Sequence, residues 1–224
     1  MEIKGFTINF LGDSITEGAG VADIESCRYD NRIKKACALA AVNNYGIGGT
    51  RIAHQIHASA KPRHDLCFCG RAYNLDKNAD MVIVYGGVND YIHGDAPFGV
   101  IGDTTPATFC GGVYFLMNYL LERFAGKPIV FMTPARCNYG NVNDLAPSPR
   151  EGKNTDAKPL LAYVEVIEKT AKNFNIPVLN LYRDLGIDPH DPVQYEKYTA
   201  DGLHFNDDGH AILAQKLMDF IAAL

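Results

Sequence analysis

Residues 9–18, NFLGDSITEG, join the end of an apolar segment to a polar turn. Residues 2–11 are mostly apolar and predict a buried β-strand. Gly12 ends that strand, and Asp13 and Ser14 follow it directly. Two interpretations are open: this pair caps a helix, or Ser14 is a nucleophile presented at the turn. The remaining sequence can distinguish them, because a nucleophilic serine needs a general base and donors for an oxyanion.

The composition is that of an ordinary globular protein. The chain has 224 residues, of which 47% are hydrophobic and 21% are charged, and its formal net charge is −5. This length suits one well-packed domain over residues 1–224, and length alone would also accommodate two smaller ones. The acidic balance argues against nucleic acid or an anionic membrane as the main partner. No run of 18 apolar residues occurs, so no membrane span is expected.

Cysteine usage and the first residues bear on location. The six cysteines are dispersed, unlike those of a secreted disulfide scaffold: Cys27, Cys37, Cys67, Cys69, Cys110 and Cys137. The apolar stretch before Gly12 is too short for a signal peptide. We therefore expect reduced thiols and a cytoplasmic location.

Strand and helix patterns alternate along the chain. Apolar runs predict strands at residues 3–11, 41–45, 81–86, 128–133 and 176–181. Apolar stripes at helical spacing predict helices at residues 26–39, 108–124, 158–174 and 207–223. This alternation is typical of a doubly wound α/β domain with a parallel sheet. The long connections 51–79, 90–106 and 134–157 are candidates for the walls of a ligand crevice at the carboxyl edge of that sheet, and disordered surface excursions are the alternative.

One histidine of the seven is well placed to act as the base. His204 lies in DGLHFNDDGH, residues 201–210, just before the last predicted helix, and Asp201 stands three residues upstream. A single loop can then set a carboxylate against one imidazole nitrogen while the other nitrogen faces Ser14. Oxyanion donors can come from Gly49 in NYGIGGTR and Asn89 in GGVND, which follow the second and third predicted strands.

The four segments GDSITEG, NYGIGGTR, GGVND and DGLHFNDDGH resemble, in order and spacing, the signature blocks of the SGNH (GDSL) hydrolases. The resemblance implies a flavodoxin-like, three-layer α/β/α fold with about five parallel strands. It implies ester hydrolysis through an acyl-enzyme, with Ser14 as nucleophile, His204 as base and Asp201 orienting that base. Gly49 and Asn89 would complete an oxyanion hole beside the Ser14 amide. No cofactor is expected.

A metal site is the main chemical alternative. Five candidate ligands share one loop: His54, His57, His64, Cys67 and Cys69. Their spacing is a poor match to zinc sites, because Cys-x-Cys has no second cysteine pair. We therefore expect these side chains to be unligated.

The expected substrate is a small-molecule ester, such as an acetylated carbohydrate, because no long apolar lid segment is evident. Lysophospholipase and acyl-thioesterase activity are alternatives on the same fold. A non-catalytic carbohydrate-binding module is an alternative of another class, and a nucleotide or flavin binder lacks its glycine-rich loop. Several aromatic residues are candidates for stacking on sugar rings: Tyr85, Tyr91, Phe98, Tyr139 and Tyr195.

Overall fold

A parallel β-sheet runs through the centre of the protein, whose computed structural model describes residues 1–153 and 156–224. The strands in chain order are β1 (Thr7–Gly12), β2 (Ala41–Gly46), β3 (Met81–Tyr85), β4 (Ile129–Met132), β5 (Asn138–Tyr139), β6 (Val142–Asn143) and β7 (Val178–Leu179). Five of them form the parallel sheet in the order β2-β1-β3-β4-β7, while β5 and β6 pair as an antiparallel hairpin. The predicted flavodoxin-like sheet is thereby confirmed.

Helices connect the strands. In chain order they are α1 (Ser14–Glu17), α2 (Ile24–Cys27), α3 (Tyr29–Cys37), α4 (Phe68–Arg71), α5 (Val88–His93), α6 (Phe109–Arg123), α7 (Leu160–Phe174), α8 (Leu181–Asp184), α9 (Pro192–Tyr198) and α10 (Asp207–Ala223). Short 3-10 turns lie at Pro62–Asp65 and Ala72–Asn74. Within the described part of the chain, no helix is both long enough and apolar enough to cross a membrane.

The two faces of the sheet bury separate cores. Side chains alternate along a strand, so Val82 and Val84 of β3 point to one face and Ile83 and Tyr85 to the other. The valines pack into a cluster with residues of α6 and α7. Ile83 and Tyr85 pack into a cluster with residues of α3 and α10. This burial on both faces explains why the strand reads as continuously apolar in the sequence.

One predicted helix, residues 26–39, proves to be two. The chain leaves helical geometry at Arg28, where φ is −63° and ψ is 137°, so that α2 ends and α3 begins there. The backbone N–H of Tyr29 donates to His210 Nδ1 at 3.2 Å instead of to a carbonyl of the preceding turn. The Arg28 guanidinium turns onto buried Asp30, with Nε 2.7 Å from Oδ1. The prediction of one continuous helix was therefore wrong.

Other boundaries also differ from the prediction, and the last strand, predicted at residues 176–181, is only Val178–Leu179 because α8 begins at Leu181. The first strand begins at Thr7, because a turn at Gly5, whose φ is +79°, precedes it. The connection 134–157 contains the β5–β6 hairpin, and residues 154 and 155 of it lie outside the described residues. The helix predicted at 158–174 begins at Leu160, directly after Pro159.

His210 of α10 is fully buried between helices. Its Nδ1 accepts the Tyr29 N–H, and its ring stacks on the Tyr29 ring with centroids 5.9 Å apart. Within the described residues, Nε2 has no hydrogen-bond partner. Burial lowers the pKa of His210 to about 4. The imidazole is therefore neutral in the folded protein over most of the pH range in which a free histidine takes up a proton.

This burial predicts a loss of stability in acid. The unfolded chain protonates this histidine near pH 6.5, whereas the folded protein does so only near pH 4, so the unfolded state binds the extra proton between those values. Stability should fall as pH is lowered through that window, by on the order of 3 kcal/mol from this group. His210→Asn keeps an acceptor for Tyr29 and cannot titrate. Its free energy of unfolding should depend less on pH than that of the wild type.

Denaturant unfolding at pH 4 to 7 measures the difference. His54→Asn is the matched control, because His54 is exposed and its replacement should leave the wild-type slope unchanged. Parallel pH dependences for the wild type and His210→Asn would contradict the prediction.

Candidate active site

The turn after β1 places Ser14 at the first position of α1. Asp13 caps this helix, and its Oδ1 accepts the Ile15 N–H at 3.1 Å. A Cβ on Gly12 would lie 2.0 Å from Thr16 Oγ1, so a glycine is needed for the chain to turn this tightly. Asp13 therefore provides the helix cap that one interpretation of the motif required, and Ser14 is free of that role.

Ser14, His204 and Asp201 lie in one line of hydrogen bonds. Ser14 Oγ is 2.9 Å from His204 Nε2, and His204 Nδ1 is 2.7 Å from Asp201 Oδ2. An ionised carboxylate can only accept, so Nδ1 carries the proton in this pair. Nε2 then has its lone pair directed at the Ser14 hydroxyl. This is the geometry of a nucleophile, a base and an orienting acid.

Backbone donors keep Asp201 in its ionised form. Its Oδ1 accepts the N–H groups of His204 and Leu203, at 2.8 Å and 3.1 Å. Partial burial acts to raise the pKa of Asp201, but the hydrogen bonds from the His204 side chain and from these amides outweigh it, and the pKa lies below its ordinary value. The carboxylate is therefore available to hold the imidazole throughout the neutral range.

Residues 47–50 after β2, the glycine loop, close another side of the site. Gly49 has a φ of +76°, and a Cβ there would lie 2.4 Å from the His64 ring. Gly46 is equally constrained, since its Cβ would meet the Glu17 backbone nitrogen at 2.2 Å. Both the backbone conformation and the close neighbours exclude a larger residue at Gly49.

Asn89 lies in α5, immediately after β3, and is only 5% exposed. Its Nδ2 donates to the Thr50 carbonyl at 3.1 Å, and its Oδ1 lies 3.1 Å from His93 Nε2. An amide nitrogen has two hydrogens, and Thr50 uses one of them. Because Asn89 also lines the cleft that contains Ser14, the second hydrogen is available to a ligand.

Asp90 of α5 fixes the loop that follows Gly49. Its two carboxylate oxygens accept the Ile52 and Ala53 N–H groups at 2.8 Å and 3.0 Å. Burial raises the pKa of Asp90 to about 6, although these hydrogen bonds oppose the shift. The residue next to Asn89 thus braces the loop at Ile52 and Ala53.

These residues surround a cleft of about 460 Å³. Four of the five predicted site residues line it, and Asp201 stands behind His204. The residues that line the cleft are Ser14, Gly49, Lys61, His64, Asn89, Ile92, His93, Tyr139, Arg150, Leu203 and His204. Of the aromatic residues considered for sugar stacking, Tyr139 alone is in this lining, whereas Tyr85 and Tyr91 are buried in the core.

Three polar residues of this lining, Lys61, His93 and Arg150, were not singled out from the sequence, and His64 was considered only as a metal ligand. Lys61, His64 and Arg150 come from the long connections, whose paths no local pattern predicts. His93 could have been recognised, because it stands four residues after Asn89 and such residues share a helix face.

The side chains considered for zinc point in different directions. His57 contacts Asp95 with Nδ1 3.0 Å from Oδ2, while His64 packs beside Gly49. Cys69 Sγ donates to the Gly112 carbonyl at 3.3 Å. Among the residues that the structure describes, no three His, Cys, Asp or Glu side chains are grouped so that they could hold a metal ion.

Arg71 holds the strand ends beneath the site. It is 8% exposed, and its guanidinium donates to the carbonyls of Leu66, Tyr45 and Gly12 and to Thr50 Oγ1, the last two at 3.0 Å and 2.9 Å. Burial lowers the pKa of Arg71 to about 10, so the group stays charged at neutral pH. One cation thus ties β1, β2 and the glycine loop together.

A sequence comparison identifies the family of hydrolases to which this fold and cleft correspond. The family model for the GDSL-like Lipase/Acylhydrolase family matches residues 10–212, so the chain belongs to that family. The protein is an esterase-type hydrolase. No curated protein matches the chain.

Solved structures share the fold over almost the whole chain. A protein from Lactobacillus plantarum is 27% identical with a TM-score of 0.82, and the match covers 99% of this chain and 98% of that one. A protein from Chitinophaga pinensis, described as a possible lipase, is 19% identical with a TM-score of 0.68, over 97% and 98% of the two chains. An acetyl xylan esterase is 20% identical with a TM-score of 0.61, over 95% and 98%.

Replacing Arg71 should destabilise the fold strongly. Arg71→Met removes the donors for three backbone carbonyls in a buried position, and unsatisfied buried groups are costly. We expect the free energy of unfolding to fall by at least about 2 kcal/mol in denaturant titrations. Arg183→Met is the control, because that side chain is 52% exposed and its ion pair with Glu168 should contribute less than about 1 kcal/mol. Equal stability losses in the two variants would contradict this account of Arg71.

Proposed function

We propose that this protein is a serine-dependent carboxylic ester hydrolase that acts through an acyl-enzyme formed on Ser14. The observation that carries the proposal is the 2.9 Å contact between Ser14 Oγ and His204 Nε2, continued by the 2.7 Å contact from His204 Nδ1 to Asp201. A helix cap or a binding residue would need neither contact. A charge-oriented imidazole beside a hydroxyl is the arrangement that makes serine nucleophilic.

In the first half of the reaction, His204 Nε2 takes the proton from Ser14 Oγ as the oxygen bonds to the ester carbonyl carbon. The carbonyl π electrons move to its oxygen, and the Gly49 and Ser14 N–H groups and Asn89 Nδ2 donate to that developing charge. The tetrahedral intermediate then collapses and expels the alcohol oxygen, which takes the proton from His204 Nε2. The products at this stage are the free alcohol and an ester on Ser14.

In the second half, water replaces the alcohol. His204 Nε2 accepts a proton from the water as its oxygen attacks the acyl carbon, and the same donors stabilise the second oxyanion. Collapse breaks the bond to Ser14 Oγ, which recovers its proton from His204. Asp201 stays ionised throughout and stabilises the imidazolium that forms in each half.

The cleft favours a short acyl group on a polar alcohol. Ile92 and Leu203 are the aliphatic residues in its lining, and the remaining lining residues apart from Gly49 have polar or aromatic side chains. Lys61 and Arg150 offer N–H donors to sugar oxygens, and the Arg150 guanidinium lies 5.7 Å from the centre of the Tyr139 ring, which can itself stack on a sugar. We therefore propose acetylated carbohydrates as the substrate class, which the fold shared with an acetyl xylan esterase supports.

Other functions fit these observations less well. A lysophospholipase or a long-chain acyl-thioesterase needs an apolar channel, and two aliphatic residues do not make one. A non-catalytic carbohydrate-binding module would have no use for the Ser14, His204 and Asp201 geometry.

The six cysteines are all free thiols, which supports the proposed cytoplasmic location.

Removing the proposed nucleophile should abolish hydrolysis. Ser14→Ala is expected to lower kcat by on the order of 10⁶, the loss measured for a nucleophile of this type in a serine protease. Release of p-nitrophenol from p-nitrophenyl acetate measures it. Ser26→Ala is the control, because that hydroxyl is exposed and bonds Asp23, and it should retain full activity. A folded Ser14→Ala protein that keeps a tenth of wild-type turnover would rule out the acyl-enzyme proposal.

Acyl-chain length tests the substrate class. In an apolar channel each added methylene would favour binding by about 0.8 kcal/mol, so longer esters would be preferred. In this cleft we expect the opposite: kcat/KM should be highest for acetyl and propionyl esters and fall at least about tenfold by octanoyl. A series of p-nitrophenyl esters and acetate release from acetylated xylo-oligosaccharides measure this. A preference for octanoate would instead support the lipase alternative.

A further inference from the structure

The orientation of the Asn89 amide depends on the groups that contact it on its two sides. An asparagine amide has nearly the same shape in its two orientations, yet one presents N–H donors to a neighbour and the other presents an oxygen. Only the donor orientation can stabilise an oxyanion in the cleft. The Thr50 carbonyl, 3.1 Å from Nδ2, favours that orientation on one side of the amide.

His93 acts on the other side. It stands four residues after Asn89 on α5, so both side chains lie on one face of that helix, and Nε2 is 3.1 Å from Asn89 Oδ1. This contact stabilises the donor orientation only if Nε2 carries a hydrogen. A His93 ring with its proton on Nδ1 would instead set two acceptors against each other and favour rotation of the amide by 180°.

Arg51 determines which nitrogen carries the proton. Its Nη1 lies 3.1 Å from His93 Nδ1, and a guanidinium has donors and no acceptor. Nδ1 must therefore accept, which leaves the single hydrogen of the neutral ring on Nε2. Burial lowers the pKa of His93 to about 4, and the nearby charge of Arg51 adds to this effect, so the ring is neutral at neutral pH.

Arg51 is itself fixed by contacts with Ser59 and Asp65. It is 2% exposed, and its Nη2 donates to Ser59 Oγ at 2.9 Å and to Asp65 Oδ1 at 3.0 Å. Asp65 also accepts the Ser59 backbone N–H at 2.9 Å, which closes the loop around the guanidinium. The chain of contacts therefore runs from a fixed ion pair through one imidazole to the amide in the cleft.

We propose that His93, with its tautomer set by Arg51, is a positioning residue that keeps the Asn89 amide turned so that its N–H faces the oxyanion. This rests on the proposed function, in which Asn89 donates to the tetrahedral intermediate. It assigns His93 no contact with the reacting atoms. His93 therefore affects kcat through Asn89, and substrate binding only slightly.

Two substitutions distinguish the roles of the two ring nitrogens of His93. His93→Gln places an amide N–H near the former Nε2, so it can still donate to Asn89 Oδ1. His93→Asn reaches only as far as the former Nδ1, so it can still accept from Arg51 but cannot hold Asn89. We expect His93→Asn to lower kcat by at least about tenfold with little change in KM, and His93→Gln to stay within about threefold of the wild type.

Asn89→Ala provides the upper limit for this effect, at about 100- to 1,000-fold in kcat. In the Asn89→Ala background, adding His93→Asn should cause no further loss, because the amide that His93 orients is gone. Denaturant unfolding of each variant confirms that the comparison is made between folded proteins. p-Nitrophenyl acetate serves as substrate throughout.

Any one of five results would overturn the proposal. Normal kcat in His93→Asn would show that Thr50 alone orients the amide. A raised KM with unchanged kcat in His93→Asn would make His93 a substrate contact. Equal losses of kcat in His93→Asn and His93→Gln would make its role merely structural. Losses of kcat that add to that of Asn89→Ala would lead to the same conclusion. Normal kcat in Asn89→Ala would remove the role of Asn89 and of His93 with it, while loss of activity in Ser14→Ala would still support the hydrolase itself.

Discussion

The parallel pairing of β1 with both of its neighbours is the constraint on which the site depends. In this register Gly12 lies opposite Gly46 of β2 and opposite Tyr85 of β3, so the three strands end at the same height. The turns that follow them carry Ser14, Gly49 and Asn89, which therefore meet without any long side chain. A slip of one residue between these strands would move the turns apart and reverse the faces of their side chains.

Buried charges hold that edge in place. Arg71 satisfies carbonyls at the ends of β1 and β2, while Asp90 accepts two N–H groups of the loop after Gly49. Arg51, with the Asp65 carboxylate beside it, fixes the ring of His93. Each charge is costly to bury, and its hydrogen bonds offset that cost, although Arg51 Nε has no partner among the described residues. The same bonds leave the backbone of the glycine loop little freedom, which suits a site that must be organised before the transition state forms.

The sequence predicted the parts of the site that lie after strand ends and in the loop before α10, and missed those that the long connections contribute. Ser14 and Asn89 directly follow strands, so the edge of a parallel sheet brings them together whatever the loops do. Lys61 and Arg150 reach the cleft from long connections, where no periodicity indicates the path of the chain. The break at Arg28 was also missed, because it depends on Tyr29 donating to His210, a residue 181 positions away in the sequence.

This division also separates chemistry from specificity. The proposed oxyanion donors and the imidazole come from strand ends and from the loop before α10, so the proposed reaction would use the same geometry for any ester. The groups that would select an alcohol, Lys61, Tyr139 and Arg150, belong to the connections 51–79 and 134–157. Lys61, Tyr139 and Arg150 lie outside the five-stranded sheet, so these three residues can change without disturbing the register of β1, whereas Arg71 of the connection 51–79 cannot. Under the proposed function, the choice of substrate therefore depends on two loops, whereas hydrolysis depends on the sheet edge that they cover.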